Sequence, residues 1–92
     1  MEFEYDQTKS LSNKRKHGVD FEEAQELWKG TYIVVPLGNG HGEERQAVFG
    51  MIGEKHWTAI VTERGRFTRI ISVRRSRAKE EAYYEHAKEG QY

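Results

Sequence analysis

The stretch RQAVFGMIGEKHWTAIVTERGRFTRIISVRR, residues 45–75, decides the fold. It reads as three consecutive strands joined by two tight turns. Arg45 to Ile52 alternates weakly between polar and apolar side chains. Gly53-Glu54 suits a two-residue hairpin turn with glycine first. Trp57, Ala59 and Val61 alternate with His56, Thr58 and Ile60, so both faces of this strand are expected to be partly covered. Glu63 to Arg66, with Gly65, makes the second turn. Beyond it Phe67, Arg69, Ile71 and Val73 oppose Thr68, Ile70, Ser72 and Arg74. Strands joined this way form an antiparallel meander.

Upstream, Tyr32 to Val35 is β-branched and aromatic, and Pro36 ends that strand or confines it to an edge. Gly38 to Gly42 is a loop. Phe3 to Tyr5 reads as a short edge strand. Asp6 is an N-cap for a helix over Gln7 to His17, which Gly18 stops. Lys9, Asn13 and Lys16 share one face of that helix. Asp20 and Glu23 have capping-box spacing, which predicts a second helix with Phe21, Ala24, Leu27 and Trp28 as its buried stripe. The two helices read as a tight αα hairpin. Downstream, Ser76 is the expected N-cap of a last helix from about Arg77 to Lys88. The fold class is α+β, and residues 1–92 read as one domain.

The chain has no cysteine, which excludes disulfide and thiolate chemistry. No apolar run approaches a membrane span, and the acidic opening Met1-Glu2-Phe3-Glu4 is unlike a signal peptide. A cytoplasmic location with no membrane partner is the expectation. Fifteen basic and fifteen acidic side chains cancel, which argues against a general nucleic-acid binder. Their distribution says more. Lys9, Lys14, Arg15, Lys16 and His17 form one basic block. Arg64, Arg66, Arg69, Arg74, Arg75, Arg77 and Lys79 form another that contains no acid. Converging in the fold, they make one positive face; otherwise they are solvated faces alternating with acidic ones.

Three stretches then stand together: Lys9-x-x-x-Asn13-x-x-Lys16-His17-Gly18-Val19-x-Phe21-Glu22-Glu23-Ala24; Thr62-Glu63-Arg64; and Arg69-Ile70-Ile71-Ser72-x-Arg74-Arg75-x-x-x-x-Glu80-x-x-x-Tyr84-Glu85. Together, in order and spacing, the chain resembles the BrnT family of type II toxins. It departs from the family pattern in the longer glycine-rich segment at Gly38 to Gly42 and in Val73, where alanine is commoner. The resemblance implies a RelE-like fold with helices on one face of a mainly antiparallel sheet. It implies a ribonuclease that blocks translation. It also implies a BrnA-like ribbon-helix-helix antitoxin, through which operator DNA is met only indirectly.

Cleaving RNA without a metal needs a base for the 2′-hydroxyl, cations for the pentavalent phosphate and an acid for the leaving 5′-oxygen. Arg64, at a strand end, reads as a phosphate clamp or as a turn arginine paired with Glu63. Arg74, Arg75, Arg77 and Lys79 crowd the start of the last helix, where acids are the usual neighbours. They read as an anion site there or as partners of Glu80 and Glu81. His17 is acid or base, or else a helix-end histidine on the dipole. Glu63 is a base or orients Arg64. Lys9, Lys16, Arg77 and Lys79 would position the RNA backbone. Tyr84 either stacks on a base or packs its helix on the sheet. His41 is a weaker candidate in the glycine loop. The four histidines have no metal-ligand spacing, and no cofactor is expected. The competing reading is a non-catalytic RNA-binding or antitoxin-corepressor module.

Overall fold

In the computed structural model, which describes residues 1–40 and 42–90, each strand of the meander lies where its alternation places it. Along the chain come β1 (Glu2–Glu4), α1 (Gln7–His17), a 3-10 segment (Glu23–Trp28), β2 (Ile33–Gly38), β3 (Arg45–Ile52), β4 (Lys55–Arg64), β5 (Phe67–Arg75) and α2 (Ala78–Glu89). The five strands form one sheet in the order β1-β5-β4-β3-β2. Neighbours run antiparallel except β1, which pairs parallel with β5 through Glu2↔Phe67, Phe3↔Thr68 and Glu4↔Arg69. Gly53 and Gly65 open the two hairpin turns at φ 62° each, a conformation that costs a side chain and costs glycine nothing. Pro36 lies in β2 at the sheet edge, next to a bulge between Pro36 and Gly38.

Asp6 caps α1, its carboxylate accepting from the Lys9 N–H at 3.0 Å, and Gly18 closes the helix with its N–H on the Lys14 carbonyl at 2.9 Å. The capping pair at Asp20 and Glu23 also forms, each side chain accepting from the other's N–H at 2.7 and 2.9 Å. Beyond this cap the chain winds into six residues of 3-10 helix rather than the second α-helix of a hairpin. The spacing of the buried residues explains it. Phe21, Ala24 and Leu27 recur every three residues and are at most 1% exposed. A period of three lines up on one side of a 3-10 helix and drifts around an α-helix. At the other end of the chain, Arg77 rather than Ser76 is the N-cap of α2, and Glu80 accepts from its N–H at 2.8 Å.

The helices lie on both faces of the sheet, a correction to the single covered face that the resemblance implied. On the first face Val48, Trp57, Ala59, Val61, Ile70 and Val73 pack under Val19, Phe21, Ala24 and Leu27. On the second, Ile33, Ala47 and Phe49 pack against Tyr84 of α2, with Met51, Ile60 and Ala87 at the margin. The apolar content of both sides of β4 demanded this. A second correction concerns β5. A bulge opposite Ile60/Val61 sets Ile60 against Ser72 and Val61 against Ile70. Ile71 is the extra residue, so side chains beyond it change face. Arg69, Ser72 and Arg74 therefore share the second face, whereas strict alternation put Arg69 with Val73.

Gly50 shows how closely the 3-10 segment lies on the sheet. A Cβ there would stand 3.0 Å from Leu27 Cδ2 and 3.2 Å from the Leu27 carbonyl oxygen. Gly50→Ala is expected to cost about 1–3 kcal/mol, because the carbonyl cannot rotate aside as a side chain can. Urea unfolding of the variant measures this. A change within about 0.5 kcal/mol would show instead that the segment shifts freely.

Candidate functional site

α2 lies mainly over β2 and β3. α2 also reaches β4 and β5 at His56, Thr58 and Arg74; past these, at Thr62, Arg64, Arg69 and Glu4, the second face carries charge and makes no hydrogen bond or ion pair to a helix among the described residues. Glu4 of β1 stands between two arginines, its Oε2 being 3.2 Å from Arg69 Nη1 and 3.6 Å from Arg64 Nε. Arg64 is more than half exposed and Arg69 about one-third. Thr62, opposite Arg69, donates its hydroxyl to the Glu44 carbonyl at 2.6 Å. At this end of the sheet a cavity of about 260 Å³ is bordered by Glu43, Glu44, Gln46, Thr62, Glu63 and Arg64.

β1 pairs with residues 67–69 of β5, and the rest of that edge has no strand beside it among the described residues. α1 runs there instead. Asn13 takes the place of a strand: its amide donates to the Val73 carbonyl at 2.9 Å and accepts from the Val73 N–H at 3.2 Å. Next to it Lys9, Ser12, Lys16 and His17 enclose a cavity of about 190 Å³ with Ile71 and Ser72. Lys14, on another side of α1, is held by Glu23 at 2.8 Å. Lys9 and Lys16 have no acidic partner among the described residues. The last turn of α1 also carries the negative end of its dipole, which favours Lys16, whereas Lys9 lies in the first turn.

The predicted residues do not all gather here. Lys9, Lys16 and His17 do, beside Ser72. Glu63 and Arg64 are adjacent on β4, so they point to opposite faces: Glu63 accepts from the Thr68 hydroxyl at 3.2 Å, and Arg64 turns to Glu4. Arg74 shares the face of Arg64 but sits opposite Thr58, six residues along β4, roughly 20 Å away. Arg75 points to the other face, its guanidinium 5.7 Å from the Trp57 ring centre. Arg77 and Lys79 are exposed at the start of α2. The cations at this helix end thus diverge, and the pairing alternative holds for Arg74. Tyr84 is 3% exposed and donates its hydroxyl to the Thr31 carbonyl at 3.0 Å. It packs α2 on the sheet and offers no face to a base, which corrects its assignment to RNA. His56 bonds Glu85 at 2.8 Å under α2. His41 lies outside the described residues. Sequence reasoning missed Arg69, Ser72 and Glu4 as one group, because the bulge that aligns the first two leaves no mark in the hydropathy pattern.

Arg74 and Glu80 form a two-pronged pair, both contacts at 2.8 Å. Those donors first, then the Arg77 N–H and the Thr58 hydroxyl, pull the Glu80 carboxyl from 4.5 down to about 2. The folded-state value is the lower one. The contribution is therefore complete above about pH 4.5 and is lost as the pH falls toward about 2. With both groups partly solvated it is worth about 1–2 kcal/mol. Glu80→Gln should lower the melting temperature at pH 7 and flatten its decline between these limits. An unchanged acid limb would show that the pair adds nothing.

No three His, Cys, Asp or Glu side chains among the described residues come together as a metal-binding group. Nor is any helix among them long and apolar enough to cross a membrane. Fold and surface define a small α+β protein with cations on an uncovered sheet face and a histidine at its edge. Residues 5–80 match the family described as ribonuclease toxin, BrnT, of type II toxin-antitoxin system, and the chain belongs to that family. Its class is thereby a ribonuclease toxin whose partner is an antitoxin protein. No curated protein and no solved structure matches the chain.

Proposed function

We propose that this chain is a metal-independent, RelE-like endoribonuclease that cuts RNA on the open face of β4 and β5, inhibits translation in the cytoplasm, and is neutralised by a BrnA-like ribbon-helix-helix antitoxin. The observation that carries the catalytic reading is the convergence of His17, Lys9 and Lys16 on Ser72 at the β5 edge, on the strand that also carries Arg69. RNA would lie with its phosphates toward Arg69 and Arg64 and along Lys9 and Lys16. The 2′-hydroxyl loses its proton to a base and its oxygen bonds to phosphorus. The bond from phosphorus to the 5′-oxygen breaks, and that oxygen takes a proton from an acid. His17 is the residue assigned to proton transfer. Arg64 and Arg69 stabilise the phosphorane, a task suited to a guanidinium fork that keeps its charge. Glu4 holds these two arginines on the face in the absence of a phosphate. Glu63, turned to Thr68, remains a second proton-transfer candidate at the end cavity it shares with Arg64. Arg74 and Arg75 stand outside this centre, and Arg77 and Lys79 are exposed for backbone contacts at the far end.

The test is cleavage of total RNA by the purified protein in excess EDTA, beside Arg64→Ala. Cleavage is expected to persist in EDTA and to slow about tenfold in the variant, the loss of one charge-assisted phosphate contact. If the wild type leaves RNA intact and its expression does not arrest growth, the catalytic reading falls and a binding module stands in its place.

A further inference from the structure

A second cavity, of about 280 Å³, opens on the same face beyond the end of α2 and is lined by Leu37, Gly38, Gly40, Arg45 and Ile60. We propose that it is a nucleobase subsite that takes a guanine splayed out of single-stranded RNA; the inference rests on the ribonuclease reading above. Its walls are apolar at Leu37 and Ile60. They are bare at Gly38 and Gly40, where even a Cβ would meet nothing within 4 Å. A flat ring enters such a slot where a bulkier wall would refuse it. Gly38 and Gly40, which form one wall, belong to the segment in which the chain departs from the family pattern.

Arg45 is the one charged group in the lining among the described residues. Its side chain is about three-quarters buried, and its contact with Glu43 is long, 3.5 Å. Its Nε–H is buried without an acceptor among the described residues. A guanidinium that keeps its charge, with one N–H unpaired and another held only at 3.5 Å, favours a ligand edge bearing two acceptors. A small turn of the side chain presents the Nε–H and one Nη–H as a fork. Guanine offers O6 and N7 side by side to such a fork. Adenine places an amino donor beside N7, so one of the two donors is repelled. Cytosine and uracil, with a single ring, leave part of the cavity empty.

Position supports the same reading. Gly38 pairs with Arg45 in the sheet, and Thr62 pairs with Arg69. Ile60, in the cavity wall, pairs with Ser72 of the proposed cleavage groove. Adjacent strands are ~4.8 Å apart, so the cavity is one strand spacing from that groove. A nucleotide whose phosphate lies at Arg69 or Ser72 reaches the cavity with its base. Single-stranded RNA is read in this way, by bases turned out into side pockets.

The test binds guanosine, adenosine, cytidine and uridine monophosphates, and inorganic phosphate, to the full chain. Calorimetry gives affinities, and amide and arginine Nε resonances give the place. Guanosine monophosphate should bind about tenfold more tightly than the other three, as one two-pronged base contact provides. Its shifts should fall on Gly38, Arg45 and Ile60. Arg45→Lys keeps the charge, loses the fork and should bind all four alike. Equal binding of the four by the wild type, binding no tighter than inorganic phosphate, or shifts confined to α1 would overturn the subsite. None of these readouts needs cleavage. A chain that discriminates guanine and cuts no RNA keeps the subsite and loses the ribonuclease reading. A chain that cuts RNA and binds the four bases alike does the reverse.

Discussion

His17→Ala is expected to slow RNA cleavage by about 10²–10⁴-fold, the range that a positioned proton-transfer group contributes. His17 ends α1 and borders the cavity that Lys9 and Lys16 share with Ser72. The surrounding lysines bring the phosphate near, and the imidazole is the proton-transfer group beside it. The side chain is exposed, so its removal should change unfolding free energy by no more than about 0.5 kcal/mol. That separation makes the variant informative. A slow enzyme with a normal melting curve has lost chemistry. Lys16→Ala is the companion: it should weaken RNA binding and reduce the salt dependence of that binding by about one unit of slope, with a smaller effect on the rate of bound substrate. If His17→Ala cuts RNA within twofold of the wild type, the histidine is a helix-end residue on the dipole and proton transfer belongs elsewhere, Glu63 being next.

Local chemistry was legible in the sequence wherever it was carried by neighbours in the chain. Asp6 and Gly18 bound α1 as read, because caps act within a few residues. Gly53 and Gly65 mark both hairpins for the same reason. The features that could not be read depend on partners far apart. A one-residue bulge at Ile71 reverses the facing of Ser72, Val73 and Arg74, and period-two reasoning has no means to see it. The position of α2 on the second face comes from Tyr84 meeting Ile33, Ala47 and Phe49, which are at least 35 residues away. Tyr84 was legible as packing or stacking alike until that contact was known. The basic run at residues 74–79 is the sharpest case. A count of charges treats it as one site, whereas alternation along β5 sends Arg74 and Arg75 to opposite faces and Glu80 takes up the first. The basic residues of α1 were legible as a face, since helical spacing alone gathers Lys9, Asn13 and Lys16. The surface that this face meets was not.

Asn13 is the residue that decides where the face sits, and Asn13→Ala is expected to cost about 3–5 kcal/mol. It is 6% exposed, and both ends of its amide are used. The Nδ2 group donates to the carbonyls of Val19 at 2.7 Å and Val73 at 2.9 Å, and Oδ1 accepts from the Val73 N–H at 3.2 Å. Val73 lies past the last residue that β1 pairs, so among the described residues no strand satisfies its outward N–H and carbonyl. Alanine would leave three backbone groups buried without partners, each worth about 1–3 kcal/mol and not fully additive. For a domain of this size each kcal/mol lowers the melting temperature by about 4–8 °C, so a fall of at least about 12 °C should be seen. Asn13→Asp should be no better than alanine. It keeps the acceptor but loses both donors and sets a charge against two carbonyl oxygens. The same bonds tie the C-terminal half of α1, with Lys16 and His17, to the edge of β5. Cleavage by Asn13→Ala should therefore fall even at temperatures where the protein is still folded, with binding and rate lost together. A loss of stability below about 1 kcal/mol would mean that water or a neighbouring strand replaces the amide, and that α1 is held by its apolar contacts alone.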